Sequence, residues 1–149
     1  MRKGFSLIEL MVVIGIIGIL TGVVIVAINP ARQFANARNT QRIANINAIL
    51  NGVDQRIADN KGTFETGCPA GAVPTSSVRM ATSTYDIAQC LVPIYLPSMP
   101  FDPSDQTAFY TSTSSYNSGY NIQKDSNIGN RITVSAPSAE LGQTISVTR

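Results

Sequence analysis

The sequence predicts an α+β fold in which one long N-terminal α-helix packs on a small antiparallel β-sheet. Three observations support this prediction. An uncharged apolar run covers residues 10–28, an amphipathic pattern of helical period follows over residues 31–58, and the short β-type runs come after residue 103. At 149 residues, the chain has the length of one ordinary domain.

The apolar run extends from Leu10 to Ile28, where 19 consecutive residues carry no charge and only Thr21 and three glycines are not strongly apolar. A helix of this length measures about 28 Å, close to the thickness of the hydrocarbon core of a bilayer. A secretory signal peptide has a shorter apolar core that a small-residue cleavage site follows. Because no such site follows residue 28, the run indicates a membrane anchor.

Glu9 places a carboxylate at the start of this apolar segment. A charged side chain costs a few kcal/mol at the centre of a bilayer and less near its surface, and such residues usually mark function. The alternative to a functional charge is a helix end whose carboxylate lies among the lipid headgroups.

The residues Met1-Arg2-Lys3-Gly4-Phe5-Ser6-Leu7-Ile8-Glu9-Leu10 resemble the start of type IV prepilins and of type II secretion pseudopilins. Both families have a short basic leader that ends in Gly, followed by Phe-x-Leu-x-Glu and an apolar helix. The resemblance implies cleavage between Gly4 and Phe5 by a membrane aspartyl peptidase, and N-methylation of Phe5. It also implies that Glu9 pairs with the α-ammonium group of a neighbouring Phe5 during assembly. That role agrees with the high cost of an unpaired charge in an apolar bundle.

The resemblance also implies how the chain is organised. It implies a cleaved leader over residues 1–4, a transmembrane and polymerisation helix over 5–30 and an exported globular domain over 31–149. Within that domain we expect an amphipathic helix over 31–59, a connector over 60–103 and a β-sheet region over 104–149. The implied partners are other copies of the chain in a helical homopolymer, prepilin peptidase, an inner-membrane assembly platform, and membrane lipid before assembly.

The charges that flank the apolar segment leave its orientation open. Arg2 and Lys3 precede it, whereas Arg32, Arg38 and Arg42 follow it, so the positive-inside rule alone does not choose a side. The resemblance implies that the C-terminal domain lies outside the cytoplasm, first on a single-pass membrane protein and then in an extracellular pilus.

The second helical segment should start after an interruption at Asn29 and Pro30, because proline lacks the N–H of a helix interior. Its predicted apolar stripe consists of Ile43, Ile46, Ile49, Leu50, Val53 and Ile57. The polar residues expected to face away from the core are Arg42, Asn45, Asn51, Gln55 and Asp59. Gly62 is a candidate for the left-handed residue that ends the helix.

The remaining elements are predicted from shorter patterns. Residues 96–103 are similar to the proline-aspartate-proline connector of pilins, and Thr84 is expected to cap one or two helical turns over 85–91. The predicted strands cover residues 108–112, 120–124, 131–135 and 145–148. Side chains expected to face the helix are those of Phe109, Tyr116, Tyr120, Ile122, Ile132 and Val134.

The two cysteines, Cys68 and Cys90, lie in the domain that the resemblance places outside the cytoplasm. An oxidising compartment favours a disulfide between them over a metal site, which would need further ligands. The alternative is a pair of free thiols. In many pilins a disulfide brackets a C-terminal loop, whereas this pair would bracket the region just after the helix.

No catalytic constellation is evident in the sequence. The chain has no histidine, no phosphate-binding loop and no cluster of metal ligands, so we expect no enzymatic activity and no cofactor. The balance of 11 Lys and Arg against 9 Asp and Glu argues against a dedicated nucleic-acid site. Asp102, Asp105 and Asp125, with Asn127, are weak candidates for calcium ligands, and solvated loop residues are the stronger interpretation.

The sequence therefore favours a structural subunit of a type IV pilus that serves adhesion, motility or DNA uptake. The first alternative is a pseudopilin of a type II secretion or competence system. A lesser alternative is a single-span surface binding domain that never polymerises, and both Glu9 and the Gly4–Phe5 junction argue against it.

Overall fold

A computed structural model of the protein describes residues 4–125, 129 and 131–149. The chain divides into two compact units, Met1–Ala35 and Asn36–Arg149. The sequence places the start of the exported domain between residues 30 and 31. That boundary is defined by the membrane and stays a prediction.

The first helix, α1, covers Leu7–Ile28, and neighbouring residues determine where it starts and where it ends. At its start, Ser6 and Glu9 form a capping box, in which each side chain hydrogen-bonds the backbone N–H of the other residue. At its end, Asn29 takes a left-handed conformation with φ 48°. The next helix begins at Pro30, where a missing N–H costs nothing, so the predicted interruption is confirmed.

This second helix, α2, covers Pro30–Asp59, and one of its faces is buried. The fully buried apolar residues of this face are Ile46, Ile49, Leu50 and Val53. Ile43, predicted to belong to the same stripe, is 44% exposed, whereas Arg42, predicted to be on the polar face, is completely buried. Positions 42, 46, 49 and 53 follow the three- and four-residue spacing of one helical face, so Arg42 lies on the buried face of α2.

The C-terminal end of α2 is a Schellman motif. The N–H of Gly62 donates to the carbonyl of Ile57 at 2.8 Å, and Lys61 has a φ of 58°. Gly62 also has a positive φ, of 90°. The helix thus ends where the sequence predicts, with Lys61 as the first left-handed residue and Gly62 as the second.

Five strands form one antiparallel sheet in the second unit. They are β1 Val78–Ala81, β2 Phe109–Ser112, β3 Ser115–Asp125, β4 Arg131–Ala136 and β5 Ile145–Thr148. The order is β1-β3-β4-β5, and β2 pairs with the beginning of β3. Strands β2, β4 and β5 confirm the predicted runs, while β3 starts five residues before the run predicted from residue 120.

The region expected to be a connector contains a strand, β1, that was not predicted, and a short helix that lies within the helical turns predicted over residues 85–91. β1 pairs with β3, and the short helix α3 covers Ala88–Leu91. Thr84 does not cap α3, because the N-cap of this helix is Ile87. The hydroxyl of Thr84 instead donates to the backbone carbonyl of Arg79. Four residues give β1 too little periodicity to be recognised without its pairing partner.

The core joins the buried face of α2 to the sheet. Tyr116, Tyr120 and Ile122 of β3 and Ile132 and Val134 of β4 lie in the same hydrophobic cluster as the apolar stripe of α2. The predicted α+β architecture is therefore confirmed. Phe109 is an exception, because it is 46% exposed and is not part of this cluster.

Candidate functional site

The residues before α1 leave the Gly4–Phe5 peptide outside the helix. Gly4, Phe5 and Ser6 precede the helix, and Phe5 is 87% exposed. Ser6 is extended, with φ −80° and ψ 151°, because an N-cap residue leaves the helical conformation. The Gly4–Phe5 peptide bond thus lies in an exposed segment outside the helix.

Glu9 lies one turn inside α1, and its carboxylate folds back to the start of the helix. Its Oε2 accepts hydrogen bonds from the Ser6 backbone N–H and the Ser6 hydroxyl, both at 2.9 Å. The Ser6 hydroxyl oxygen in turn accepts from the backbone N–H of Glu9 at 3.3 Å. The carboxylate therefore lies at the peptide that joins Phe5 to Ser6, on the side where cleavage after Gly4 would create an amino group.

Helix α1 presents an apolar surface on every side. It has 22 residues, its side chains are almost all apolar, and none of its residues is buried. Its length and composition are sufficient to cross a membrane. Side chains with this composition require lipid or another protein surface around them.

The second unit contains a buried guanidinium group, that of Arg42, which the sequence predicts to lie on the polar face of the helix. Arg42 donates from Nε to Asp102 Oδ2 at 2.7 Å and from Nη2 to Asp102 Oδ1 at 3.1 Å. Its Nη1 donates to Glu140 Oε2 at 3.0 Å and to Asn39 Oδ1 at 2.8 Å, and its Nη2 also donates to Ser104 Oγ at 2.6 Å. Oxygen acceptors thus surround a guanidinium group that has no contact with solvent.

The Asp102 carboxylate is held in the ionised form by its neighbours. Burial alone would raise its pKa, but the hydrogen bonds from Arg42 and from the backbone N–H groups of Ser104 and Asp105 outweigh burial and lower the pKa. The hydrogen bond to Asp102 likewise raises the pKa of Arg42. Gly119 makes room for this pair, since a Cβ atom on it would lie 2.9 Å from the Asp102 Cβ.

Glu140 ties the segment before β5 to α2. Arg38 donates to its two carboxylate oxygens at 2.7 and 2.6 Å. Asn39 donates to the Glu140 carbonyl at 2.9 Å and accepts from its N–H at 3.0 Å. The hydrogen bonds from Arg38, followed by those from Arg42, lower the pKa of Glu140 to about 2. Two of the arginines that follow the apolar segment therefore have acidic partners within the folded unit.

The residues considered for calcium have other positions. Asp102 pairs with Arg42, and Asp105 accepts a hydrogen bond from Arg79 at 3.0 Å. Asp125 is the last residue of β3, opposite Arg131. Within the described residues, no three acidic, histidine or cysteine side chains form a group that could hold a metal ion. Asn127 lies outside the described residues.

A disulfide joins Cys68, in the turns after α2, to Cys90 in α3, and both residues belong to the hydrophobic core. The Cα atoms of the two cysteines are 5.3 Å apart. The bridge encloses the segment that contains β1, and not a C-terminal loop.

A family model described as the prokaryotic N-terminal methylation motif matches residues 1–25. The chain carries the class III prepilin signal of type IV pilins and pseudopilins. The matched stretch contains Gly4, Phe5 and Glu9 and most of α1, and it does not reach the second unit. No curated protein and no solved structure matches the chain.

The prepilin signal and the geometry of the first unit concern the same residues. The signal supports a type IV pilin-like or pseudopilin subunit that is processed by prepilin peptidase and self-associates. In the second unit, sequence reasoning missed the roles of Arg42 and Glu140. One signal was available for Arg42, since it stands one turn before Ile46 in the apolar stripe, but a single arginine is ordinarily assigned to the solvent side.

Proposed function

We propose that this chain is a structural subunit of a type IV pilus and polymerises through α1 into an extracellular filament. The observation that carries the proposal is the position of α1: a fully exposed apolar helix starts three residues after the cleavage junction of the prepilin signal. Lipid surrounds such a helix before assembly. In a filament, the same helices of neighbouring subunits replace lipid around it.

The role of Glu9 in this proposal follows from its surroundings. Cleavage between Gly4 and Phe5 converts the Phe5 nitrogen into an ammonium group, close to the carboxylate that Ser6 holds at the helix start. Both charges become costly when the helix enters an apolar bundle, unless each has a partner. Glu9 of one subunit therefore neutralises the Phe5 ammonium group of a neighbour, and N-methylation of Phe5 keeps that positive charge.

The second unit is, in this proposal, the exported surface of the subunit. Arg38 and Arg42 carry two of the charges that oppose an outside location, and both are neutralised by Glu140 and Asp102 in the folded unit. The disulfide between Cys68 and Cys90 suits an oxidising compartment. The partners are prepilin peptidase, an inner-membrane assembly platform and further copies of the chain.

The proposed role is structural and not enzymatic. The charged groups of the buried cluster pair with one another inside the second unit, so they stabilise a fold and do not face a substrate. The tyrosines of the core are also kept from ionising, since burial raises the pKa of Tyr120 to about 12.

Electron microscopy of fibres sheared from the producing cells tests the proposal. An antibody against the second unit should label surface fibres, and these fibres should be absent from a strain that lacks the gene. A pseudopilin would be processed in the same way but would remain in the cell envelope. Unlabelled surface fibres, together with processed subunit confined to the envelope, would replace the pilus proposal with the pseudopilin alternative.

A further inference from the structure

Arg56 is a second buried arginine of α2, and its surroundings differ from those of Arg42. Its side chain donates to three backbone carbonyls: from Nε to Phe64 at 3.0 Å, from Nη1 to Cys90 at 3.1 Å and from Nη2 to Thr66 at 2.7 Å. Its guanidinium carbon lies 5.4 Å from the centre of the Phe64 ring, within the range of a cation–π interaction. Among the described residues, Arg56 takes part in no ion pair.

The three carbonyls come from the two segments that the disulfide joins. Phe64 and Thr66 stand four and two residues before Cys68, and the third carbonyl belongs to Cys90 itself. Each segment also has local backbone hydrogen bonding. The N–H of Cys68 donates to the carbonyl of Glu65 at 3.0 Å, and Cys90 lies in α3. The guanidinium group bonds to both segments at once.

The backbone of Cys90 needs such a partner. Cys90 lies in the last turn of α3, where carbonyl groups have no partner in the following turn of the helix. Cys90 is buried, so water does not replace Arg56 as the hydrogen-bond donor to its carbonyl. The contact thus places the Cys90 backbone at a defined distance from the segment that leads to Cys68.

We propose that Arg56 is the positioning residue for the formation of the Cys68–Cys90 disulfide. In the reduced protein, it holds the two cysteine segments against the same side chain and so raises the effective concentration of one thiol at the other. Two thiols that stand 22 positions apart in an unfolded chain would meet only by loop closure, at a much lower effective concentration.

The reaction that Arg56 assists is thiol–disulfide exchange with a small-molecule disulfide, for which oxidised glutathione is the probe. One cysteine thiolate attacks a sulfur of the probe, forms a mixed disulfide and releases one glutathione thiolate. The thiolate of the other cysteine then attacks the protein sulfur of the mixed disulfide and releases the second glutathione thiolate. The two cysteines lose two electrons, the probe gains them, and the two thiol protons pass to the released glutathiones. Positioning acts on the second step, which is intramolecular.

Thermodynamic linkage separates positioning from ordinary stabilisation. An arginine that merely stabilises the fold lowers the stability of the reduced and the oxidised protein equally when it is removed, and the glutathione ratio at half oxidation does not move. If the arginine instead holds the two cysteine segments together, its removal lowers the effective concentration of the thiols and shifts the glutathione ratio at half oxidation.

The experiment uses the full-length chain in detergent micelles, reduced and then equilibrated in glutathione buffers of graded ratio. Alkylation with a maleimide of high mass resolves reduced from oxidised chain on a gel, and circular dichroism checks that the reduced chain remains folded. For Arg56→Gln, we expect the effective thiol concentration to fall about tenfold or more, since hydrogen bonds from a charged group are lost. Arg56→Lys, which can retain one carbonyl contact and the ring contact, should give a smaller fall.

The matched control is Arg149→Gln, because Arg149 also bonds to α2, through Asn47, Asn51 and Asp54, and these hydrogen bonds do not involve either cysteine. Its effective thiol concentration should equal that of the wild type. An unchanged value in folded Arg56→Gln would overturn the proposal, as would an equal fall in Arg149→Gln. If reduced Arg56→Gln is unfolded, Arg56→Lys decides: a fall supports the positioning role and an unchanged value contradicts it.

Discussion

Arg42 and Asp102 are joined by two hydrogen bonds, of 2.7 and 3.1 Å, at a place where neither side chain is exposed. Burying two charges costs several kcal/mol each, and their mutual attraction offsets this only when the geometry is good and the remaining donors are satisfied. Both conditions hold here, because Asn39, Ser104 and Glu140 accept the other hydrogen bonds of Arg42. The pair links α2 to the segment before β2.

Replacement of Asp102 by alanine should therefore destabilise the second unit strongly. Arg42 would remain buried without its main partner, at a cost of roughly 3–5 kcal/mol. Urea unfolding of the full-length chain in detergent micelles, followed by circular dichroism, measures this cost.

The control for this prediction is Asp54→Ala, because Asp54 and its partner Arg149 are both more than one-third exposed. Exposed pairs contribute about 1 kcal/mol or less, so this variant should stay close to the wild type. The double variant Arg42→Met with Asp102→Leu should recover much of the loss, since no unpaired charge remains. A cost for Asp102→Ala no larger than that for Asp54→Ala would show that the buried pair is not important for stability.

The stability contributed by the Glu140 carboxylate should depend on pH. Arg38 and Arg42 lower its pKa in the folded protein to about 2, from an ordinary value of 4.5. Between these values the unfolded chain binds more protons than the folded chain, so stability rises with pH. The contribution is complete above about pH 5 and is lost as the pH falls toward about 2.

Urea midpoints of the wild type and of Glu140→Gln at a series of pH values measure this contribution. The difference between the two proteins should be constant near neutral pH and should shrink as the pH falls through the acid range. Glu65→Gln changes an exposed carboxylate and serves as the control, with a small difference at every pH. A Glu140→Gln difference that persists unchanged at the acid end would contradict the assigned ion pairs.

Processing at the Gly4–Phe5 junction can be read directly from the mass of the mature chain. We expect N-methylated Phe5 as its first residue. Gly4→Val should leave uncut precursor in the membrane, because a branched side chain beside the scissile bond hinders a close approach to the backbone. Gly18→Ala, outside the leader, should be processed as in the wild type. Surface material that begins with Met1 would contradict cleavage.

The parts of the fold that the sequence predicted are those with long or repeated patterns. The length of α1, the interruption at Pro30 and the stripe from Ile46 to Val53 each rest on several residues that agree with one another. β1 could not be predicted, because its four residues become a strand only through their pairing with β3.

The buried cluster could not be predicted for a different reason. Asp102 and Glu140 lie 60 and 98 residues beyond Arg42, and only the folded chain brings them within hydrogen-bond distance. Without those partners, a buried position for Arg42 would be too costly to propose. The N-terminal candidates, by contrast, were identified from ten consecutive residues, whose spacing is the signal itself.

Substitutions of Glu9, assayed by the yield of sheared fibres relative to total membrane subunit, test the proposed polymerisation most directly. Glu9→Ala should be inserted and cleaved normally but form no fibres, since the Phe5 ammonium group of a neighbour loses its counter-charge. Glu9→Asp, one methylene shorter, should give a reduced yield.

Glu9→Gln separates the charge of Glu9 from its contacts with Ser6. Glutamine at this position can still complete the capping box but has no negative charge. We predict that Glu9→Gln fails to form fibres, like Glu9→Ala, while its membrane level and cleavage equal those of the wild type. A wild-type fibre yield from both Glu9→Ala and Glu9→Gln would show that the carboxylate has no part in assembly, and would contradict the proposed mechanism of polymerisation.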